Sequence, residues 1–188
     1  MKKSNKFILI DTREKAHAIV GILDYFDRAG IRYERTKLRA GDYRDYNRPG
    51  LVIDRKKNMG ELAKNCTDPT DRERFRRELE RIEEVGAELV ILVEQNRYKD
   101  RDEWVQVRSI VDLIRWSSPY TMVRGERIYR ILADWTFKHR IRVIFCDRRS
   151  TGRYIEKILY EGETEPQEGK HGEEERDDDL LSGTNKHL

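Results

Sequence analysis

The sequence has no long apolar run. Its longest uninterrupted stretch is Leu89 to Val93, five residues. A membrane-spanning helix needs about 20, so no span is expected. The Met-Lys-Lys start is not followed by an apolar segment of leader length, so no secretory leader is expected either. Cysteine is scarce: only Cys66 and Cys146 occur, without CxxC spacing. That speaks against a disulfide scaffold and against structural zinc, and it fits a reducing compartment. A Gly-rich phosphate loop, a zinc finger and an RNA-recognition aromatic signature are all absent. The four histidines do not fall into a Ser-His-Asp arrangement.

Charge, by contrast, is abundant. The 188 residues are 40% charged, and the net of +3 conceals a split. From Glu161 to Leu188 ten acidic and three basic side chains give −7, so residues 1–160 carry 36 basic and 26 acidic side chains, or +10. A body of that excess attracts polyanions. The tail offers only Leu180, Leu181 and Leu188 to a core, so it is expected to be disordered. The expected organisation is a domain over 1–160 followed by an acidic tail over 161–188. The tail either solubilises the chain or competes with nucleic acid for the body.

Apolar periodicity alternates between strand and helix. Phe7–Ile10 reads as a buried strand ending at Asp11. Ile19, Ile22, Leu23 and Phe26 follow at helical spacing, and Gly30 stops that helix. Ile31–Thr36 is β-rich, 38–51 could hold a hairpin, and Leu51–Ile53 is a short strand. Phe75, Leu79 and Ile82 mark a helix from about Thr70 to Val85, with Asp71 in its first turn. Leu89–Val93 is the strongest strand and ends at Glu94. Val107, Ile110, Val111 and Ile114 predict a helix, as do Ile128, Ile131, Leu132 and Trp135. A strand over Ile141–Phe145 and a helix with Ile155, Ile158 and Leu159 close the domain. The pattern predicts an α/β fold with a central mixed, largely parallel β-sheet flanked by helices.

One constellation carries chemistry: Gly41-Asp42-Tyr43, then Val52-Ile53-Asp54-Arg55-Lys56. Side chains alternate along a strand, so Asp54 and Lys56 share one side and Arg55 faces the other. If the chain returns Asp42 alongside, two carboxylates and one ammonium converge. Two carboxylates suit a hard cation such as Mg²⁺ or Mn²⁺, which polarises a phosphodiester and acidifies a bound water. Lys56 would orient or help deprotonate that water, or stabilise charge on phosphate oxygens. In a chain so charged the pattern alone is weak. A turn aspartate beside a solvated strand end also accounts for it. Asp11 sits at another strand end, where α/β folds place ligands, although helix capping also explains Asp11 and Glu14.

The motifs Ile8-Leu9-Ile10-Asp11-Thr12-Arg13-Glu14, Gly41-Asp42, Ile53-Asp54-Arg55-Lys56, Glu61-Leu62-Ala63, Arg74-Phe75 and Leu89-Val90-Ile91-Leu92-Val93-Glu94 occur in that order. The chain resembles, over about residues 7–160, the XPF-family (ERCC4-type) nuclease domain of structure-specific endonucleases. The resemblance implies a restriction-endonuclease-like nuclease core. It implies metal ligation by Asp42 and Asp54, with Asp11 close by as a direct or supporting ligand. It makes Lys56 the catalytic lysine and Arg55 a brace or phosphate contact. Arg13 matches the strand-end motif, and Arg74 a basic helix position facing substrate. Two departures stand out: Asp54 occupies a position usually Glu, and Gly60 occupies a position where an acid is expected. Glu61 is the possible substitute acid.

Lys57 belongs to a basic cluster with Arg35, Lys37, Arg39 and Lys64 around the proposed site, and Arg148 and Arg149 are little balanced by acids. With Arg13 and Arg74, these are the expected DNA contacts, which give affinity without sequence preference. The other arginines of 70–85 are interleaved with glutamates and read as a solvated face. The expected function is a Mg²⁺- or Mn²⁺-dependent DNA endonuclease acting on branched, flap or fork DNA in repair or recombination. The alternative is a catalytically weakened DNA-binding subunit of a nuclease complex. Expected partners are DNA, a second copy paired through the nuclease domain, and a protein supplying junction binding. The expected setting is intracellular, cytoplasmic and nucleoid-associated in a prokaryote or phage.

Overall fold

The computed structural model describes residues 5–95, 107–118 and 121–162. Among the described residues, six strands form one sheet: β1 (Phe7–Asp11), β2 (Arg32–Thr36), β3 (Tyr43–Asp45), β4 (Leu51–Lys56), β5 (Glu88–Gln95) and β6 (Ile141–Asp147). Their spatial order is β2-β1-β3-β4-β5-β6. β1 pairs parallel with β2, and β4, β5 and β6 pair parallel in series. β3 runs antiparallel to both its neighbours and closes a hairpin with β4. The sheet is therefore mixed and largely parallel, with the expected hairpin inserted in its middle. Asp11, Lys56, Gln95 and Asp147 all close parallel strands on one edge.

Five α-helices among the described residues cover the sheet: α1 (Val20–Arg28), α2 (Met59–Thr67), α3 (Pro69–Glu84), α4 (Gly125–Lys138) and α5 (Thr151–Tyr160). One core layer joins α2, α3 and α4 to the sheet through Leu62, Phe75, Leu79, Leu89, Ile91, Ile128 and Leu132. The opposite layer joins α1 and α5 through Ile22, Phe26, Ile8, Ile10, Ile53, Leu92 and Ile155. Successive residues of β5 thus bury on opposite faces, which is why its sequence is a continuous apolar run. Asp68 caps α3, accepting from the Thr70 and Asp71 amides at 3.0 Å each, and Pro69 opens its first turn.

The helix expected from Val107, Ile110, Val111 and Ile114 does not form. The segment makes a single 3-10 turn, Val111–Arg115, that buries Leu113 and leaves Val111 and Ile114 exposed. Its tight path has a cause in α4. Gly125 approaches so closely that a Cβ there would lie 1.8 Å from the Leu113 carbonyl oxygen. Trp116 and Trp135 are core residues, while Trp104 lies outside the described residues. No helix among the described residues is long and apolar enough to cross a membrane. Nearly all of the acidic tail, from 163 on, lies outside the described residues.

Candidate active site

The site begins with the backbone of Asp42. Its amide donates to the Ile53 carbonyl at 2.8 Å, and its carbonyl accepts from the Asp11 amide at 2.8 Å. Its side-chain Oδ2 accepts from the Arg55 amide, also at 2.8 Å. Asp42 is thus stitched between the end of β1 and the end of β4. The turn that delivers it is Gly41, at φ +68°, where a Cβ would lie 2.1 Å from Val52 Cγ1 and 3.0 Å from the Ile53 oxygen. Only glycine fits both the conformation and the space. The Gly41 amide donates to Glu78 Oε1 of α3 at 2.8 Å.

β4 then presents its last three residues to two different sides. Lys56 Nζ lies 2.6 Å from Asp54 Oδ2, and both side chains are buried. The pair lacks hydrogen-bond geometry, so Asp54 Oδ2 has no hydrogen-bond partner. Lys56 also stands 4.9 Å from the centroid of the Phe75 ring on α3. Arg55 points the other way, buried between Glu94 Oε1 at 3.0 Å and Glu14 Oε2 at 2.5 Å. Thr151 Oγ1 donates to the same Glu94 oxygen at 2.9 Å.

The ERCC4 domain pattern matches residues 10–158 of the chain. The chain belongs to this family. The ERCC4 domain is the nuclease domain of XPF-type proteins, and solved XPF structures resemble this one. XPF from Aeropyrum pernix superposes with a TM-score of 0.57 at 20% identity, covering 81% of this chain and 62% of that one. XPF from Aeropyrum pernix in complex with DNA superposes at 0.58 and 19% identity, covering 82% and 63%. The chain therefore spans about three fifths of the length of these XPF chains. Its fold is α/β and restriction-endonuclease-like. No curated protein matches the chain.

In this ERCC4 domain the carboxylates feel one another. Burial, and then the charges of Asp54 and Glu14, push the Asp42 carboxyl well above the ordinary carboxylate range. Burial and the Asp54 charge likewise raise Glu78, against the pull of the Gly41 amide and of Lys56 and Arg13. Burial disfavours the Lys56 ammonium, but Asp54 and Asp42 more than offset it, so Lys56 stays protonated at neutral pH. No three His, Cys, Asp or Glu side chains among the described residues are gathered closely enough to hold a metal ion. The donor chemistry nonetheless suits one. Asp42 and Asp54 are two hard oxygen donors whose mutual repulsion a divalent cation relieves, and one buried Asp54 oxygen lacks a hydrogen bond.

Several expected residues sit otherwise than their sequence roles suggest. The Asp11 carboxylate is filled by four donors: the Arg13 amide and Nε at 2.7 and 2.6 Å, Arg13 Nη2 at 3.1 Å, and the Leu38 amide at 2.7 Å. It braces Arg13 and the Leu38 turn, which leaves it no open oxygen to offer as a ligand. Arg55 is sealed between two glutamates, Glu94 of β5 and Glu14 after β1. Glu61 Oε2 accepts from the Lys57 amide at 3.0 Å, and the Glu61 amide donates to Asn58 Oδ1 at 2.9 Å. That carboxylate is part of the cap of α2.

The expected DNA contacts lie outside the core. Arg13 remains exposed beyond its pairing with Asp11. Lys57 and Arg149 are exposed, and Arg74 is exposed beside Asp71 at 3.3 Å. Arg148 is exposed with Nε 3.7 Å from Glu94. The glutamate-laced face of α3 is present as well, with Arg76 paired to Glu73 and Glu80. Sequence reasoning missed Glu78. Its signal was available: with Phe75, Leu79 and Ile82 it lies at i+3, i+4 and i+7 spacing, a charged residue within the apolar stripe.

Proposed function

We propose that this ERCC4 domain is a Mg²⁺- or Mn²⁺-dependent DNA endonuclease that hydrolyses phosphodiester bonds in branched, flap or fork DNA during repair or recombination. The observation that carries the reading is the convergence of Asp42, Asp54 and Lys56 at one edge of the sheet. Asp42 and Asp54 would hold the cation, which when bound polarises the phosphodiester and acidifies a water. Lys56 is held charged by Asp54, so its part is to stabilise negative charge on phosphate oxygens and not to remove a proton. Asp11 fixes the end of β1 against the Asp42 carbonyl, and Arg55 locks β4 to β5 through Glu94.

Arg13, Lys57, Arg74, Arg148 and Arg149 would track the phosphate backbone. Their exposure supports that role, and DNA as the partner is supported by the structure of XPF from Aeropyrum pernix in complex with DNA. The net charge of +10 over 1–160 supports a nuclease body, with 161–188 as a separate acidic tail. Exposed Val111, Ile114, Met122 and Phe137 support pairing with a second copy or with a protein that supplies junction binding. A DNA-cutting role places the protein inside the cell, with the nucleoid in a prokaryotic or phage setting. Gly60, which brings no carboxylate, favours a second reading: a weakened subunit that binds DNA without cutting it.

The test is cleavage of labelled flap, fork, four-way junction and linear duplex DNA with Mg²⁺, Mn²⁺ or EDTA, beside Asp42→Asn protein. Metal-dependent cutting that disappears in the variant supports the nuclease. Salt-sensitive binding without cutting on every substrate supports the weakened subunit.

A further inference from the structure

We propose that the open face of β2, β1 and β3 carries an unpaired DNA strand away from the site, with a base stacked on Tyr46. The proposal rests on the nuclease reading above and adds a path for its substrate. Ile8, Ile10 and Tyr43 face the layer of α1 and α5. Alternation turns Phe7, Leu9 and Arg44 to the other side. The Tyr46 amide donates to the Phe7 carbonyl at 2.8 Å and extends the same pairing by one residue. Among the described residues, none of β1, β2 or β3 joins the layer of α2, α3 and α4. Leu9 is buried yet belongs to neither layer.

Three rows cross this face. Arg32, Phe7 and Tyr46 form the first, and Glu34, Leu9 and Arg44 the second. The third is Thr36, Asp11 and Asp42, at the edge that carries the candidate site. From Asp42 to Tyr46 the strand runs about 13 Å. The first row suits stacking. Phe7 and Tyr46 have ring centroids 4.9 Å apart and planes at 22°, and the Arg32 guanidinium stands 5.0 Å from the Phe7 centroid. Tyr46 is still 59% exposed. In the second row Arg44 makes no ion pair among the described residues, and its Nε is buried without a hydrogen-bond partner. An aromatic platform beside guanidinium groups takes bases and phosphates together. Bases in a duplex stack on one another and offer no free ring face, so the ligand is single-stranded. Glu34, exposed on the outer strand, repels phosphate and keeps the backbone toward Arg44.

Fluorescence anisotropy of a labelled oligothymidine strand and of a labelled duplex, titrated with the full chain in EDTA, tests this. The parent is expected to bind both. Tyr46→Ala is expected to weaken single-strand binding about fivefold or more, and Tyr46→Phe to retain it, with duplex binding unchanged in both. Tyr46→Leu, which still covers Phe7 but has no ring, takes the place of the alanine variant if that does not fold, with the same expected loss. Arg44→Gln is expected to lower the single-strand salt slope by about 0.7. Unchanged single-strand affinity in the Tyr46 variants overturns the proposal, as does an equal loss on duplex. An unchanged salt slope in Arg44→Gln overturns the phosphate path. A parent that self-associates and is dissociated by Tyr46→Ala, with no change in DNA binding, gives the face to a second copy and overturns the proposal as well. These outcomes leave the nuclease reading standing, because cleavage by the parent with Mg²⁺ or Mn²⁺ is a separate measurement. A parent that binds the strand and cuts no DNA with either metal overturns the nuclease reading and leaves the strand-binding face.

Discussion

Lys56 Nζ lies 2.6 Å from Asp54 Oδ2, two residues back on the same strand, with both side chains buried against α3. The pairing keeps a buried ammonium charged and sets a cation of the protein's own beside a carboxylate meant for another. The site is consequently strained by charge before anything binds, so removing a repelling carboxylate and removing the Lys56 ammonium act oppositely on stability.

Asp42→Asn is expected to abolish cleavage while raising stability. The amide oxygen still accepts from the Arg55 N–H, but the repulsion from Asp54 and Glu14 is gone. A gain of about 1 kcal/mol or more is expected, since a tenfold change in a carboxylate's proton affinity corresponds to about that much. Thermal unfolding in EDTA beside a cleavage assay reads both; a lowered melting temperature refutes the repulsion.

Lys56→Met removes the ammonium and keeps the apolar stem against Phe75. Asp54 is left as a buried charge without its cation, so a loss of about 3 kcal/mol or more is expected. Cleavage should fall about 10²- to 10³-fold. Urea unfolding with and without Mn²⁺ checks the cause, because the metal should restore part of the lost stability. Equal loss in both conditions rules out the electrostatic account.

The pH dependence has a definite sign. Asp42, Glu78 and Glu14 all have folded-state values raised from their ordinary ones, by burial first, and Asp42 the most strongly. Their contribution is fully present below the unfolded value near 4 and is lost as pH rises through the raised values. In EDTA, melting temperature should therefore carry a component that declines from about pH 4 upward. Asp42→Asn should flatten it. An unchanged slope in that variant would remove Asp42 as its source.

Arg55 and the surface arginines should separate cleanly. Arg55→Met leaves Glu14 and Glu94 buried together, and about 3–5 kcal/mol is lost. Arg74→Ala and Arg149→Ala should change stability by no more than about 0.5 kcal/mol. Each should instead weaken DNA binding and lower the salt slope by about one. Fluorescence anisotropy across a salt series measures this, and an unchanged slope excludes the residue from the phosphate track.

Much of this was legible in the chain because it is local. The strand ends at Asp11, Asp54 and Glu94 follow from short apolar runs, and Gly41 before Asp42 announces a turn. The helix expected at 107–114 fails for a distant reason: α4 approaches through Gly125 and selects Leu113 as the buried residue. The fourth donor that fills the Asp11 carboxylate was not legible, because it comes from Leu38, 27 residues away. Glu78 escaped notice because its partner, Gly41, is 37 residues away.

The sequence by itself determined that Asp54 and Lys56 share a side and that Arg55 faces away, because the pleat is a property of the backbone. It also determined the family, through ordered motifs that need no coordinates. Only the tertiary structure decided which acid each base holds. Arg55 takes Glu94 from 39 residues on and Glu14 from 41 residues back, and Glu78 arrives on a helix whose sequence reads as surface. Electrostatic energy depends on distance through space, which chain order does not encode. The division of the acids into braces, caps and open donors therefore had to wait for the packed sheet.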